Sequence, residues 1–204
     1  EFDSKQKVIT ELINLEAILN LPKGTELYLS DIHGEFEAFD YILRTCAGNL
    51  NEKINDCFGE ELSKAEKDKL TLLIAYPQEV LSDGFLYPLK DKSWYGEIIQ
   101  NLLTLLTFVA AKYTRSKVRK ALPPQYAYVI EELLYTDRNL PDSNIYFETI
   151  QNYLIDLGEA SQFISALAKV IRQLIIDHLH IVGDIFDRGP SPHKVMDTLM
   201  AQNS

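Results

Sequence analysis

The chain has 204 residues, of which 46% are hydrophobic and 25% charged, and its formal net charge is −10. This is the composition of a soluble globular protein with room for one good-sized core or two small ones. The acidic balance argues against a nucleic-acid backbone as main partner, since that needs clustered Lys and Arg. It leaves open a small phosphorylated ligand, for which bound metal ions supply local positive charge.

The chain opens at Glu1, without a Met, as a trimmed N-terminus would. Residues Ser4 to Leu21 carry helical spacing, with Val8, Leu12, Leu15, Ile18 and Leu19 on one face. Pro22-Lys23-Gly24 ends that helix. Glu26 to Ser30 reads as a short strand, Asp31-Ile32-His33-Gly34 as its exit loop, and Glu35 to Cys46 as a helix with Phe36, Phe39, Ile42 and Leu43 inward. Ser63-Lys64-Ala65-Glu66 is a capping box before Leu70, Leu72, Leu73 and Ile74. Trp94 to Leu122 reads as one long helix stopped by Pro123-Pro124, and further helices fit Gln125–Tyr135, Asn144–Leu157 and Glu159–Asp177. His178 to Val182 is the second strand, and Ser191-Pro192 reads as N-cap and N1 proline of a helix through Met200. The most apolar stretch, 102–111, is interrupted by Thr104 and Thr107 and is too short to span a bilayer. Cys46 and Cys57 give no disulfide framework and, with no signal peptide visible, read as reduced thiols of a cytoplasmic protein.

Between Gly34 and Gly183 lie 148 residues, almost all helical by pattern. A strand, crossover and parallel strand need only about 30. The fold class is therefore α/β and predominantly helical: a small core of residues 1–46 and 157–204, holding two parallel strands, with an all-helical insertion over 47–156. Such an insertion carries substrate choice or regulation, or else serves packing or an oligomer contact.

The chemistry sits after the two strands. Gly183-Asp184-Ile185-Phe186-Asp187-Arg188-Gly189 follows the apolar run Leu179-His180-Ile181-Val182. Its five fixed residues would recur by accident in roughly one chain of this length in ten thousand. A turn has no need of two Asp and an Arg together, although Asp and Gly alone are ordinary turn residues. Along an extended segment Asp31 and His33 point to one side, and a parallel second strand delivers Asp184 to the same carboxyl edge, where open α/β sheets bind ligands. Oxygen and nitrogen donors without thiolate suit Mn, Fe, Zn or Mg. The two oxygens of Asp184 allow it to bridge two ions. Ions about 3.5–4 Å apart lower the pKa of a water and clamp phosphoryl oxygens during in-line displacement. Arg188 offers a planar fork matched to phosphate. The remaining histidines fit structural positions: His178 and His180 open the second strand, roughly 13 Å from Asp184 by strand rise for the latter, and His193 falls in the first helical turn.

These two strings resemble the first two signatures of the calcineurin-like metallophosphoesterases. With Val182 to Pro190, Lys194 to Met200, Val8 to Asp40 and the long helical crossover, the chain resembles the class III fructose-1,6-bisphosphatases of Firmicutes and some other bacteria, whose N-terminal third it would be. The resemblance implies that Asp31 and His33 are ligands of a first metal, that Asp184 bridges, that Arg188 binds phosphate, and that Asp187 orients a histidine acid further along. It implies Mn²⁺ as cofactor, two ions in the full-length enzyme and one weak site or none in this piece. It implies hydrolysis of fructose 1,6-bisphosphate to fructose 6-phosphate and phosphate, in gluconeogenesis. The later Gly-Asn-His-Glu type motif and further metal-binding histidines are absent here, so this piece is expected to be catalytically poor. Its expected partners are the sugar phosphate, the remainder of a longer polypeptide and a second copy of itself. The alternatives are a Ser/Thr protein phosphatase or dinucleoside polyphosphate hydrolase, whose crossover is short, a nuclease of the same superfamily, disfavoured by the acidic charge, and a non-catalytic helical assembly or regulatory module.

Overall fold

The computed structural model describes residues 3–82, 87, 90–137 and 140–202; the ends of the expected core, Glu1 and Ser204, lie outside them. In chain order the elements are α1 (Lys5–Leu19), β1 (Glu26–Ser30), α2 (Phe36–Arg44), α3 (Asn49–Phe58), α4 (Lys64–Ala75), α5 (Pro77–Ser82), α6 (Lys92–Ala110), α7 (Arg115–Ala121), α8 (Ala127–Tyr135), α9 (Pro141–Asp156), α10 (Ala160–Ile175), β2 (His178–Val182) and α11 (Pro192–Gln202). A short 3₁₀ turn, Cys46–Gly48, joins α2 to α3. The fold is α/β and mostly helical, as the sequence indicates. Both strands have the expected bounds and pair in parallel, Glu26 opposite His178 through Ser30 opposite Val182.

Two apolar clusters of unequal size hold the structure. The large one is helical: Leu50 and Ile54 of α3, Leu73 and Ile74 of α4, Ile99, Leu102, Leu105 and Leu106 of α6, and Phe163, Ile164, Leu167 and Ile171 of α10. The apolar periodicity of α10 is wide enough to bury it on several sides, so it forms the spine and packs most extensively on α6. The small cluster is Ile32, Phe39 and Val195, flanked by Leu29, Leu179, Ile181, Ile185 and Leu199. It presses one sheet face onto α2 and α11. On the other face Tyr28 and Val182 are exposed, and Tyr28 stacks on the His180 ring with centroids 4.5 Å apart.

Three expectations need correction. Trp94 to Leu122 is two helices, because Thr114 caps α7 by accepting the Lys117 amide, 3.3 Å away, while Tyr113 donates to the Leu174 carbonyl at 2.9 Å. The local cap takes the Lys117 amide that a continuous helix would bond to the Tyr113 carbonyl, and the Tyr113 hydroxyl ties the junction to α10. The helix placed at Asn144 begins at Pro141, which takes the N1 position where its missing N–H costs nothing. The helix after the first strand ends at Arg44, because Cys46 and Ala47 adopt φ of 51° and 53°.

The capping box is formed: Ser63 Oγ accepts from Glu66 N at 3.3 Å, and Glu66 Oε2 accepts from Ser63 N at 2.8 Å. The shared apolar face of α1 exists, but α1 buries no residue; Leu12 and Leu19 are 61% and 78% exposed. Both cysteines are free, and burial pushes the Cys46 thiol up to about 12 and that of Cys57 up to about 11. No helix among the described residues is long and apolar enough to cross a membrane.

Candidate metal centre at the carboxyl edge of the sheet

The parallel register delivers the two loops to one edge, and backbone bonds then stitch them together. His33 N donates to the Asp184 carbonyl at 3.1 Å and Gly34 N to the Ile185 carbonyl at 2.7 Å. Ser191 N returns to the Gly34 carbonyl at 3.1 Å, anchoring the start of α11. Gly183, at φ 109°, lies against Asp31: a Cβ there would sit 2.5 Å from Asp31 Oδ1. Gly189 passes so close to the His33 carbonyl that a side chain would collide with backbone. Both glycines of the second string are therefore required by contact, not only by turn geometry.

The chain does not stay extended through the first string. Asp31 and His33 have φ of 48° and 50°, so strand alternation is not what sets their directions. Instead Asp31 Oδ1 accepts the Asp184 amide at 3.2 Å, and the His33 ring turns to pair its Nδ1 with Asp187 Oδ1. Asp184 folds its own loop back: Oδ1 accepts from Phe186 N at 3.0 Å and Asp187 N at 3.4 Å. As a result His33, Asp184 and Asp187 each offer a ligand atom within 4.8 Å of the others. Asp31 stands beside this group, one hydrogen bond away, rather than in it. Arg188 lies at the rim, 78% exposed in its side chain, with Nε 3.2 Å from Asp187 Oδ2.

The sequence signal that would have drawn Asp187 into the donor group is its spacing of three after Asp184, which is what an Asx-type turn needs. The Asp184 carboxyl is held below its ordinary value, first by the Phe186 amide, then by the Asp187 amide and the His33 charge. It therefore presents a charged carboxylate at neutral pH. One imidazole and two carboxylates form a hard oxygen and nitrogen donor set, which fits a divalent ion of the Mn, Fe, Zn or Mg type. His178 and His180 lie on β2 itself, at its amino-terminal half, and His193 is in the first turn of α11. None of these three joins the donor group.

A family model described as Firmicute fructose-1,6-bisphosphatase matches residues 1–204. The chain belongs to the Firmicute fructose-1,6-bisphosphatase family. Relatives named fructose-1,6-bisphosphatase class 3 include that of Streptococcus gordonii, 64% identical over 98% of this chain, and that of Listeria monocytogenes, 51% identical over all of it. That of Staphylococcus aureus is 48% identical, again over the whole chain. The chain spans about a third of the length of these fructose-1,6-bisphosphatases, 31% or 32% of each. No solved structure matches it.

Proposed function

We propose that the chain is the N-terminal part of a longer cytoplasmic phosphatase that hydrolyses fructose 1,6-bisphosphate to fructose 6-phosphate and phosphate, with Mn²⁺ as the metal. The observation that carries this reading is the meeting of His33, Asp184 and Asp187 at the carboxyl edge of β1 and β2, with Arg188 beside them. Membership of the family supports it. In this reading residues 1–46 and 157–204 form the phosphatase core and 47–156 the helical insertion. His33, Asp184 and Asp31 are the metal ligands, Asp31 by moving its carboxylate off the Asp184 amide. A divalent metal held there supplies positive charge to phosphoryl oxygens and lowers the pKa of a water.

The chain's own groups do the rest. Asp187 fixes the His33 ring through Nδ1. Arg188 exchanges its Asp187 contact for the oxygens of the sugar phosphate, which its fork can grip at two points. Asp184 keeps its charge because backbone amides hold it. In this reading the three residues of the donor group hold the metal or orient a ligand to it, and none of them serves as the acid for the leaving alkoxide. Such an acid is worth about 10²–10⁴ in rate, so turnover by these 204 residues alone is low.

The test is phosphate release from fructose 1,6-bisphosphate and from a phosphopeptide, measured with this chain and with a longer version that includes the two thirds present in relatives. Release from the sugar, by the longer version only, is the expected result. Preference for the peptide overturns the substrate, and a calorimetric titration showing two tight Mn²⁺ sites together with brisk turnover by the 204 residues overturns the division of labour.

A further inference from the structure

A groove of about 750 Å³ lies at the other end of the sheet from Asp184, between α2, α5, α10 and α11. Leu43, Ile176 and Leu179 line its floor, and three cations face it: Arg44, Lys169 and Arg172. The carboxylates on its wall are Asp40, Glu79 and Asp177. Asp177 is spent elsewhere, on Lys117 at 2.5 Å and Lys112 at 3.5 Å. Asp40 is held by Arg44 Nε at 2.6 Å, and Glu79 is a loose rim contact, 3.7 Å from Arg44 Nη1. That leaves three cations against two carboxylates, in a chain whose net charge is −10.

The decisive group is Arg172. It is half-buried, and the only hydrogen bond its guanidinium makes among the described residues runs from Nη1 to the Ala75 carbonyl at 3.1 Å. Among the described residues no carboxylate comes within ion-pair distance of it, so most of its five N–H donors have no partner there. Arg44 Nη1 approaches the same carbonyl, at 3.4 Å. Capping the end of α4 accounts for one donor of each guanidinium and for no more. Lys169 stands one turn before Arg172 on the same face of α10, exposed and without a partner among the described residues.

We propose that this groove binds the phosphate group of a small anion, with Arg172 and Lys169 as its principal ligands and Arg44 on the opposite wall. A guanidinium fork and an ammonium on one helix face match a dianion's oxygens. The apolar floor offers room for an organic portion. The site is independent of the catalytic reading, since it shares no residue with the edge where His33 and Asp184 meet.

The experiment is a calorimetric titration of the 204-residue chain with inorganic phosphate and with glycerol 3-phosphate, in EDTA so that no metal occupies the other site. Saturable binding is expected, weakened more than about tenfold by Lys169→Glu and by Arg172→Gln, as the loss of a charge-assisted hydrogen bond implies, and unchanged by Asp184→Asn. Tighter binding of glycerol 3-phosphate identifies a phosphate ester, and equal binding identifies phosphate alone; both support the site. Should Arg172→Gln fail to fold, Lys169→Glu is exposed and still reports. Amide shifts of Ser165 and Thr198, which also line the groove, locate the ligand without any variant. No saturable binding, or binding that ignores Lys169→Glu and responds to Asp184→Asn, overturns the proposal.

Discussion

At the scale of single residues, chemistry was more legible than geometry. Asp31, His33, Asp184, Asp187 and Arg188 stand out by type and spacing, because a turn needs one Asp at most and not a second carboxylate and a guanidinium within five residues. Their mutual arrangement was hidden, since it depends on backbone at positive φ and on a loop closed by Asp184 itself. Asp177 was hidden altogether: by sequence it is one more acidic residue at a helix end. In the structure its side chain is 2% exposed, and it accepts from Thr25 N at 2.9 Å and from Lys117 Nζ at 2.5 Å. Burial disfavours its charge, but the bond from Lys117 and the charges of Lys112 and Lys117 outweigh that and hold its carboxyl below the ordinary value. A folded-state value below the unfolded one contributes stability above the unfolded pKa, about 4, and loses it as pH falls through the folded value. Asp177→Asn is therefore expected to be less stable than the parent at pH 7, with the gap narrowing below about pH 4. Urea denaturation from pH 3 to 7 measures this, and a gap independent of pH would show that the carboxylate's charge contributes nothing.

At the scale of elements, strands and most helices follow from periodicity, and caps such as Ser63 with Glu66 can be read directly. The break between α6 and α7 could not, because nothing local demands it: residues 94–122 have an uninterrupted helical pattern. The demand comes from α10, whose last carbonyls need donors. Tyr113 Oη supplies one to Leu174, and Lys112 Nζ supplies another to Ile175 at 3.3 Å while also reaching Thr25 Oγ1 at 3.2 Å. The same few residues thus close α10, end α6 and tie the helical region to the amino end of the sheet. Tyr113→Phe keeps the ring and removes the donor, so it is expected to cost about 1 kcal/mol of unfolding free energy. Hydrogen exchange should show the loss concentrated at the α6–α7 junction and the C-terminal turn of α10. A neutral substitution would mean that water replaces the hydroxyl and that the break has another cause.

At the scale of the whole molecule, the two clusters divide the labour. The helical one runs from Cys46 to Ile175 and contains most of the fully buried side chains; the one beneath the metal centre rests on Ile32, Phe39 and Val195. By sequence the chain reads as a small core and a large insertion, with no way to weigh the packing of each, because burial depends on which helix faces meet. Few buried apolar contacts and an uncovered sheet face imply a lower local stability for the site than for the bundle. Amides of α6 and α10 should exchange most slowly, those of β1 and β2 faster, and those of α1, which buries nothing, fastest. Val195 is fully buried on α11 against α2, so Val195→Ala removes packing only from the small cluster. It is expected to speed exchange in β1 and β2 and to weaken Mn²⁺ binding by loosening the two stitched loops, while α6 and α10 keep their protection and the helical circular dichroism is unchanged. If protection in α10 fell together with that in β2, the two clusters would be one cooperative unit, and the site could not be loosened without unfolding the bundle.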